Sequence, residues 1–307
     1  MIRVANAPCS WGVLEFDPSS ALRAGPGSGP IPFDRVLDEI EQTGYTGTEL
    51  GDWGFMPTEP ARLRTEVAAR NLELIGAFVP VALANAEAHA RGAETAVRTA
   101  RLMSDAGAGA AFVVLSDDNG SVPAREQNAG RIEPSHTLSE AQWATFAAGA
   151  EHIAQEVMTA TGLRTVFHPH CGGYVETPTE IDELMRRTDS GLVGLVLDTG
   201  HIVYGGGDPL AVLRQHAARV WHVHFKDCDQ AVAAKARAQR LGYLAAVRAQ
   251  LFCELGLGSV DFAAVVNALQ NLDYDGWIVV EQDVLPAMGS PLASATRNRR
   301  YLRGIGL

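Results

Sequence analysis

The chain has little of what marks a secreted, membrane-spanning or nucleic-acid-binding protein. Cysteine occurs four times in 307 residues, as Cys9, Cys171, Cys228 and Cys253. No two of them stand in C-x-x-C spacing. That excludes a disulfide framework or a zinc knuckle and fits reduced thiols in a cytoplasmic protein. No apolar run approaches the ~18 residues of a membrane span, and no h-region follows Met1, so neither a transmembrane helix nor a signal peptide is expected. Positive charge is in deficit, with 25 Lys and Arg against 36 Asp and Glu and a net charge of −11. Such a surface repels phosphate backbones and anionic headgroups, so neither a nucleic acid nor a membrane is an expected partner. The first strand lacks a following G-x-G-x-x-G, and the chain lacks a P-loop and a G-x-S-x-G elbow. Dinucleotide, nucleoside triphosphate and acyl-serine chemistry therefore find no support.

What the chain does have is a repeated plan: a short apolar run ending in polar residues, followed by a helical stretch. Its clearest instance is Leu195-Val196-Leu197-Asp198-Thr199-Gly200-His201. A continuous apolar run suits a strand covered on both faces, and a carboxylate and an imidazole at its carboxyl end lie where parallel barrels keep their chemistry. Further strands are predicted over 2–7, 45–50, within 72–83, and over 111–115, 165–167, 220–227 and 276–280. Helices are predicted between them, with Gly44 stopping the first. Segments 19–32 and 122–135 read as loops, and 230–249 as an Ala/Arg-rich helical excursion. Eight strands alternating with helices predict a single (β/α)8 barrel over residues 1–307, with a doubly wound sheet as the other architecture.

Asp198, His224 and Glu281 end three successive strands, and a barrel would bring their tips together. Two carboxylates and an imidazole suit a divalent cation such as Mn²⁺, Co²⁺, Mg²⁺ or Zn²⁺. His168 and His170 end the fifth strand, and either can supply a fourth ligand. Lys226 follows His224 by two residues and is a candidate for moving a proton or stabilising an enolate; the alternative is a surface lysine paired with Asp227. Glu49 ends the second strand as a candidate proton-transfer carboxylate, with an ion-paired buried acid as the other reading. His201 is placed to orient a ligand or the substrate, and His222, deeper in its strand, reads as a core or supporting histidine. Trp11, Trp53 and Phe55 fall in mouth loops, where flat rings either stack on sugar or cyclitol faces or pack in the core.

Several stretches together resemble the xylose isomerase-like TIM barrels, a group of sugar isomerases, epimerases and dehydratases. They are Gly47-Thr48-Glu49-Leu50-Gly51, His168-Pro169-His170, Asp198-Thr199-Gly200-His201, His222-Val223-His224-Phe225-Lys226-Asp227 and Val279-Val280-Glu281-Gln282-Asp283. With Ala245-Ala246-Val247-Arg248 leading to Phe252, they are most similar to the inosose dehydratase branch. The resemblance implies a divalent metal, most often Mn²⁺ or Co²⁺, held by Asp198, His224 and Glu281. His168 stands where the superfamily usually has a fourth, glutamate ligand. Joined with the residue reading, the resemblance gives a lyase that removes water from a keto-polyol such as 2-keto-myo-inositol, with Lys226, His170 and Glu49 as the catalytic candidates and His201, Trp11 and Trp53 contacting the substrate. A metal-dependent ketose isomerase or epimerase, and a sugar-binding barrel without catalysis, are the alternatives. A small-molecule substrate is the expected partner, and a homodimer is the assembly to test.

Overall fold

Val, Ile, Leu and Ala dominate most strand centres, so those strands are apolar on both faces and demand cover on both. In a computed structural model, which describes residues 1–13, 31–285 and 288–307, eight strands meet that demand by closing on themselves. They are β1 (Arg3–Asn6), β2 (Gly47–Glu49), β3 (Glu73–Val81), β4 (Phe112–Asp117), β5 (Arg164–Phe167), β6 (Val193–Asp198), β7 (Val220–Phe225) and β10 (Trp277–Val280). Every neighbouring pair is parallel, and β1 closes the ring between β10 and β2. Parallel neighbours require long crossovers, which helices supply on the outside. The fold is the single (β/α)8 barrel predicted from the sequence pattern.

Local chemistry sets the helix ends. Gly44 terminates helix Phe33–Thr43 at φ 87°, a left-handed conformation that favours glycine. Ser139 and Gln142 form a reciprocal cap on Glu140–Thr161, and Thr177 and Glu180 do the same on Pro178–Arg187. The main core fills the layer between barrel and helices. Val114, Val166 and Val196 form a separate buried group, with Phe78, Phe112 and Trp221 against it.

Two expectations need correction and one lies mostly out of reach. The stretch 122–135, predicted as loop, holds a helix, Pro123–Gln127, whose Arg125 is fully buried. Both oxygens of Glu180 accept from Arg125, at 2.8 and 3.0 Å, so a pair distant in sequence orders a segment that local pattern leaves polar. The seventh strand stops at Phe225 rather than running through Asp227. Asp227 and Cys228 instead form β8, antiparallel to β9 (Phe252–Cys253). Between β8 and β9 an arm projects, carrying helices Gln230–Ala238 and Tyr243–Arg248. The loop predicted over 19–32 lies mostly outside the described residues.

Candidate metal centre and its surroundings

Strand register puts the first donors on one face. Asp198 pairs with His224 across β6 and β7, and His224 pairs with Val279 across β7 and β10. Side chains alternate along a strand, so Glu281, two residues past Val279, rejoins the face of His224. The ladder continues beyond the strand ends. His168 N–H donates to Leu115 O at 2.7 Å, and Glu281 N–H to Phe225 O at 3.0 Å, which fixes both residues at the barrel mouth.

The Asp-Thr-Gly-His stretch after β6 has a separate reason for each residue. Asp198 Oδ1 accepts the His201 N–H at 2.8 Å and caps the short helix Thr199–Tyr204, leaving Oδ2 to point elsewhere. Thr199 Oγ1 donates to Lys226 O at 2.7 Å and accepts from Lys226 N–H at 3.0 Å, tying β6 to the chain after β7. A Cβ on Gly200 would lie 2.6 Å from Lys226 Cγ, so only glycine lets the lysine stem pass. His201 Nδ1 accepts from Cys171 N–H at 3.2 Å, and its Nε2 lies 3.0 Å from Lys226 Nζ.

His168, Asp198, His224 and Glu281 are all buried, and one donor atom from each lies within 4.8 Å of the others. The spacings are 3.4 Å from His168 Nε2 to Asp198 Oδ2, 3.8 Å from Asp198 Oδ2 to His224 Nδ1, and 3.2 Å from His224 Nδ1 to Glu281 Oε2. Ligands about 2.0–2.2 Å from a common ion stand about 3–3.6 Å apart, so the spacing suits a divalent cation. Asp198 Oδ2 and His224 Nδ1 are also buried without a hydrogen-bond partner among the described residues, which is the state of an atom reserved for a ligand. Two imidazoles and two carboxylates form a mixed nitrogen and oxygen set fit for Mn²⁺, Co²⁺ or Zn²⁺.

Behind the cluster, Glu49 Oε1 accepts from His222 Nε2 at 2.8 Å and from His224 Nε2 at 3.1 Å. That leaves His224 Nδ1 as the nitrogen turned to the cluster, an arrangement by which a carboxylate orients a metal-ligating histidine. Burial pushes the Glu49 carboxyl up, but the His224 and His222 imidazoles outweigh it and bring it down to about 2. Burial likewise pushes His224 down, yet Glu281 and Glu49 hold it well above the usual imidazole range.

Lys226, one of two lysines in the chain, is 1% exposed. Its ammonium is 2.9 Å from Asp283 Oδ1, 3.1 Å from Glu281 Oε2 and 3.6 Å from Asp198 Oδ2. Burial disfavours its charge, but these three acids raise it well above the ordinary lysine range. The surface pairing with Asp227 does not occur. Asp227 is fully buried and accepts from the backbone N–H groups of Cys228, Gly256, Gly258 and Val260 instead. His170 is held well below 6.5, first by burial and then by its His168 and Lys226 neighbours, which keeps it neutral. Its Nδ1 lies 2.7 Å from Cys171 O, so Nδ1 donates and Nε2 is the basic nitrogen.

Neither Trp11 nor Trp53 is among the described residues that line the cavity over this cluster. The Trp11 ring is buried, with Nε1–H donating to Glu39 Oε2 at 2.7 Å. Trp53 is 38% exposed and stacks under Arg98 at 4.0 Å. The walls of the cavity over the cluster come from Ala7, Pro8, Cys9, Val13, Gly51, Asp52 and Phe78. A larger cavity of about 700 Å³ opens at the opposite end of the barrel, among Arg3, Arg64, Arg164, Trp221 and Trp277. Size does not make it the reactive site, because the buried donors gather at the other mouth. Residue-pattern reasoning missed Asp283, Tyr243 and Phe252. Asp283 had a signal, lying two residues past Glu281 on the same face; Tyr243 and Phe252 sit on the arm, whose contacts no local pattern records.

The family model for xylose isomerase-like TIM barrels matches residues 37–304. The chain belongs to that family. Among relatives of this xylose isomerase-like barrel, an inosose dehydratase from Geobacillus kaustophilus is 32% identical over 304 residues, covering 98% of this chain and 93% of the relative. An inosose dehydratase from Lacticaseibacillus casei is 32% identical over 272 residues, covering 89% of each. Solved structures share the fold at lower identity. The probable 3-DHS dehydratase of Bacillus anthracis superposes with a TM-score of 0.68 at 14% identity, covering 99% of both chains. An L-ribulose 3-epimerase does so with a TM-score of 0.68 at 18%, covering 99% of this chain and 94% of the other. Among the described residues, no helix is long and apolar enough to cross a membrane.

Proposed function

We propose that the chain is a divalent-metal-dependent dehydratase that removes water from a keto-polyol, with 2-keto-myo-inositol (inosose) as the first substrate to test. The observation that carries this reading is the four-donor cluster with a buried ammonium beside it and the imidazoles of His170 and His201, both held well below the ordinary range chiefly by burial. The two inosose dehydratase relatives, at 32% identity, support the substrate class. His168, Asp198, His224 and Glu281 would hold the cation, with Glu49 orienting His224. When bound, such an ion supplies Lewis acidity toward a ketone and its neighbouring hydroxyl.

The chain's own groups then divide the proton work. Dehydration removes one α-proton and expels a β-hydroxyl, which leaves as water once it gains a proton, so the net loss is one water. His170, neutral and basic at Nε2, takes the α-proton. Lys226, kept charged by its three acids, donates toward the developing oxyanion or the departing hydroxyl, and Asp283 Oδ1, 2.9 Å away, steadies its Nζ.

The test is incubation with Mn²⁺ and 2-keto-myo-inositol in deuterated water. The expected result is a dehydrated diketone, seen by its ultraviolet absorbance. Epimerised polyol without dehydrated product would replace the dehydratase by an epimerase, and no solvent exchange at carbon with any keto-polyol would end the enzymatic reading.

A further inference from the structure

Asp283 lies outside the four-donor cluster, yet it is buried and carries two short hydrogen bonds. Its Oδ1 accepts from Lys226 Nζ at 2.9 Å, and its Oδ2 accepts the phenol O–H of Tyr243 at 2.6 Å. Tyr243 comes from the arm between β8 and β9. Phe252, at the foot of the same arm, places its ring 5.1 Å from Nζ. The ammonium therefore has an aromatic wall on one side and three acids around it.

Two of those acids are shared. The oxygens facing Nζ at 3.1 and 3.6 Å, Glu281 Oε2 and Asp198 Oδ2, are the same atoms that belong to the donor cluster. A lysine ammonium and a divalent cation cannot both be the principal partner of those two oxygens, because like charges in a buried site repel. Asp283 is the one of the three acids that stands outside the four-donor cluster. Its hold on Nζ depends on the orientation of its carboxylate, and the Tyr243 hydroxyl fixes that orientation from the far side. Without the phenol O–H, the Asp283 carboxylate can turn, and the nearest remaining anions for Nζ are the two ligand oxygens.

We propose that Tyr243 and Asp283 are positioning residues that hold the Lys226 ammonium beside the four-donor cluster rather than within it, and so set the cluster's affinity for its divalent cation. The inference rests on the metal reading above. Through the arm, it extends the determinants of metal binding to a segment that contributes no ligand.

The test is calorimetric titration of Mn²⁺ into metal-free wild type, Tyr243→Phe, Lys226→Met and the double variant. Tyr243→Phe alters no charge and is expected to weaken Mn²⁺ roughly tenfold, the equivalent of about 1.4 kcal/mol and of one charge-assisted hydrogen bond. Lys226→Met is expected to tighten binding by about tenfold or more, since the competing charge is gone. The double variant is expected to match Lys226→Met, because no ammonium remains to be misplaced. Lys226→Met leaves three buried acids around a neutral chain, so the crossing is repeated with Lys226→Gln, and metal-free melting temperatures report folding. A purely structural role for Tyr243 would lower the melting temperature and leave the affinity alone, which overturns the proposal. Equal weakening with and without the lysine overturns it too. Tight Mn²⁺ binding by wild type that Tyr243→Phe leaves unchanged sinks this inference only, whereas no binding by wild type sinks the metal reading with it.

Discussion

One carboxylate, that of Asp198, performs two jobs that a pair of substitutions can separate. Its Oδ1 caps the helix beginning at Thr199 through the 2.8 Å bond from His201 N–H, and its Oδ2 faces His168 and His224 in the cluster. Asn caps a helix as well as Asp does, so Asp198→Asn keeps the first job and loses the anionic ligand. Asp198→Ala loses both. Loss of an N-cap costs about 0.5–2 kcal/mol, and this one is fully buried, so the His201 N–H would go unsatisfied and the cost lies near about 2 kcal/mol. Both variants remove the same negative charge near Lys226, and that term cancels when they are compared with each other. Urea denaturation with a chelator present is expected to find the Asn variant more stable than the Ala variant by about 2 kcal/mol. Mn²⁺ titration is expected to find both weakened by about a hundredfold or more. Equal stability of the two variants would refute the cap, and wild-type Mn²⁺ affinity in the Asn variant would refute the ligand.

Three other outcomes are expected. Gly200→Ala gains about 1 kcal/mol of helix propensity but drives its Cβ against Lys226, for which a cost of about 1–3 kcal/mol is usual; the added atom would lie 2.6 Å from Lys226 Cγ and 3.0 Å from its carbonyl oxygen. The net expectation is lower stability in urea and lower turnover, and a stabilised variant would contradict it. Glu176, buried and accepting from Gly130 N–H at 2.6 Å and Gly172 N–H at 3.0 Å, is raised by burial from 4.5 to about 7. A carboxyl whose folded pKa exceeds its unfolded one favours folding while protonated. Its contribution of about 3 kcal/mol is therefore lost as pH rises from about 4.5 to 7 and is flat above. Asp117, raised by burial to about 6, adds the same sign, so Glu176→Gln should shrink the slope of unfolding free energy in that window without abolishing it; an unchanged slope would count against the assignment. Chelation should lower the melting temperature, and Mn²⁺ at about 100 times its Kd should restore about 2.7 kcal/mol; a melt indifferent to both would remove the metal from the site.

The barrel was legible because most strands announce themselves by an apolar run and most crossovers by a helical one. Asp198, His224 and Glu281 stood out because a strand end converts sequence position into spatial position: residues ending neighbouring parallel strands must meet. What escaped was everything set by contacts across the barrel. Glu49 read as a proton carrier or a paired acid, but which partner it would have could not be seen from β2 alone; His222 and His224 reach it from β7. Arg125 looked like part of a polar loop because its partner Glu180 lies 55 residues away. Aromatic loop residues carried two readings of equal standing, and the Trp11 indole went to a helix contact with Glu39. The arm was visible as a helical excursion, but nothing in its own pattern told where Tyr243 would reach.

The order in which the chain is made has a bearing on when a cation can be captured. The four donors stand at positions 168, 198, 224 and 281, and the last belongs to the chain just past β10, the strand that seals the ring against β1. The carboxylate that orients His224 was laid down far earlier, at position 49. A ribosome-bound intermediate that stops short of β10 therefore has at most three donors and an open seam, and one that stops short of β7 has fewer. On the metal reading proposed above, ion uptake would be a checkpoint on finished closure, and the cation's binding energy would go to the completed ring and not to any half-built precursor.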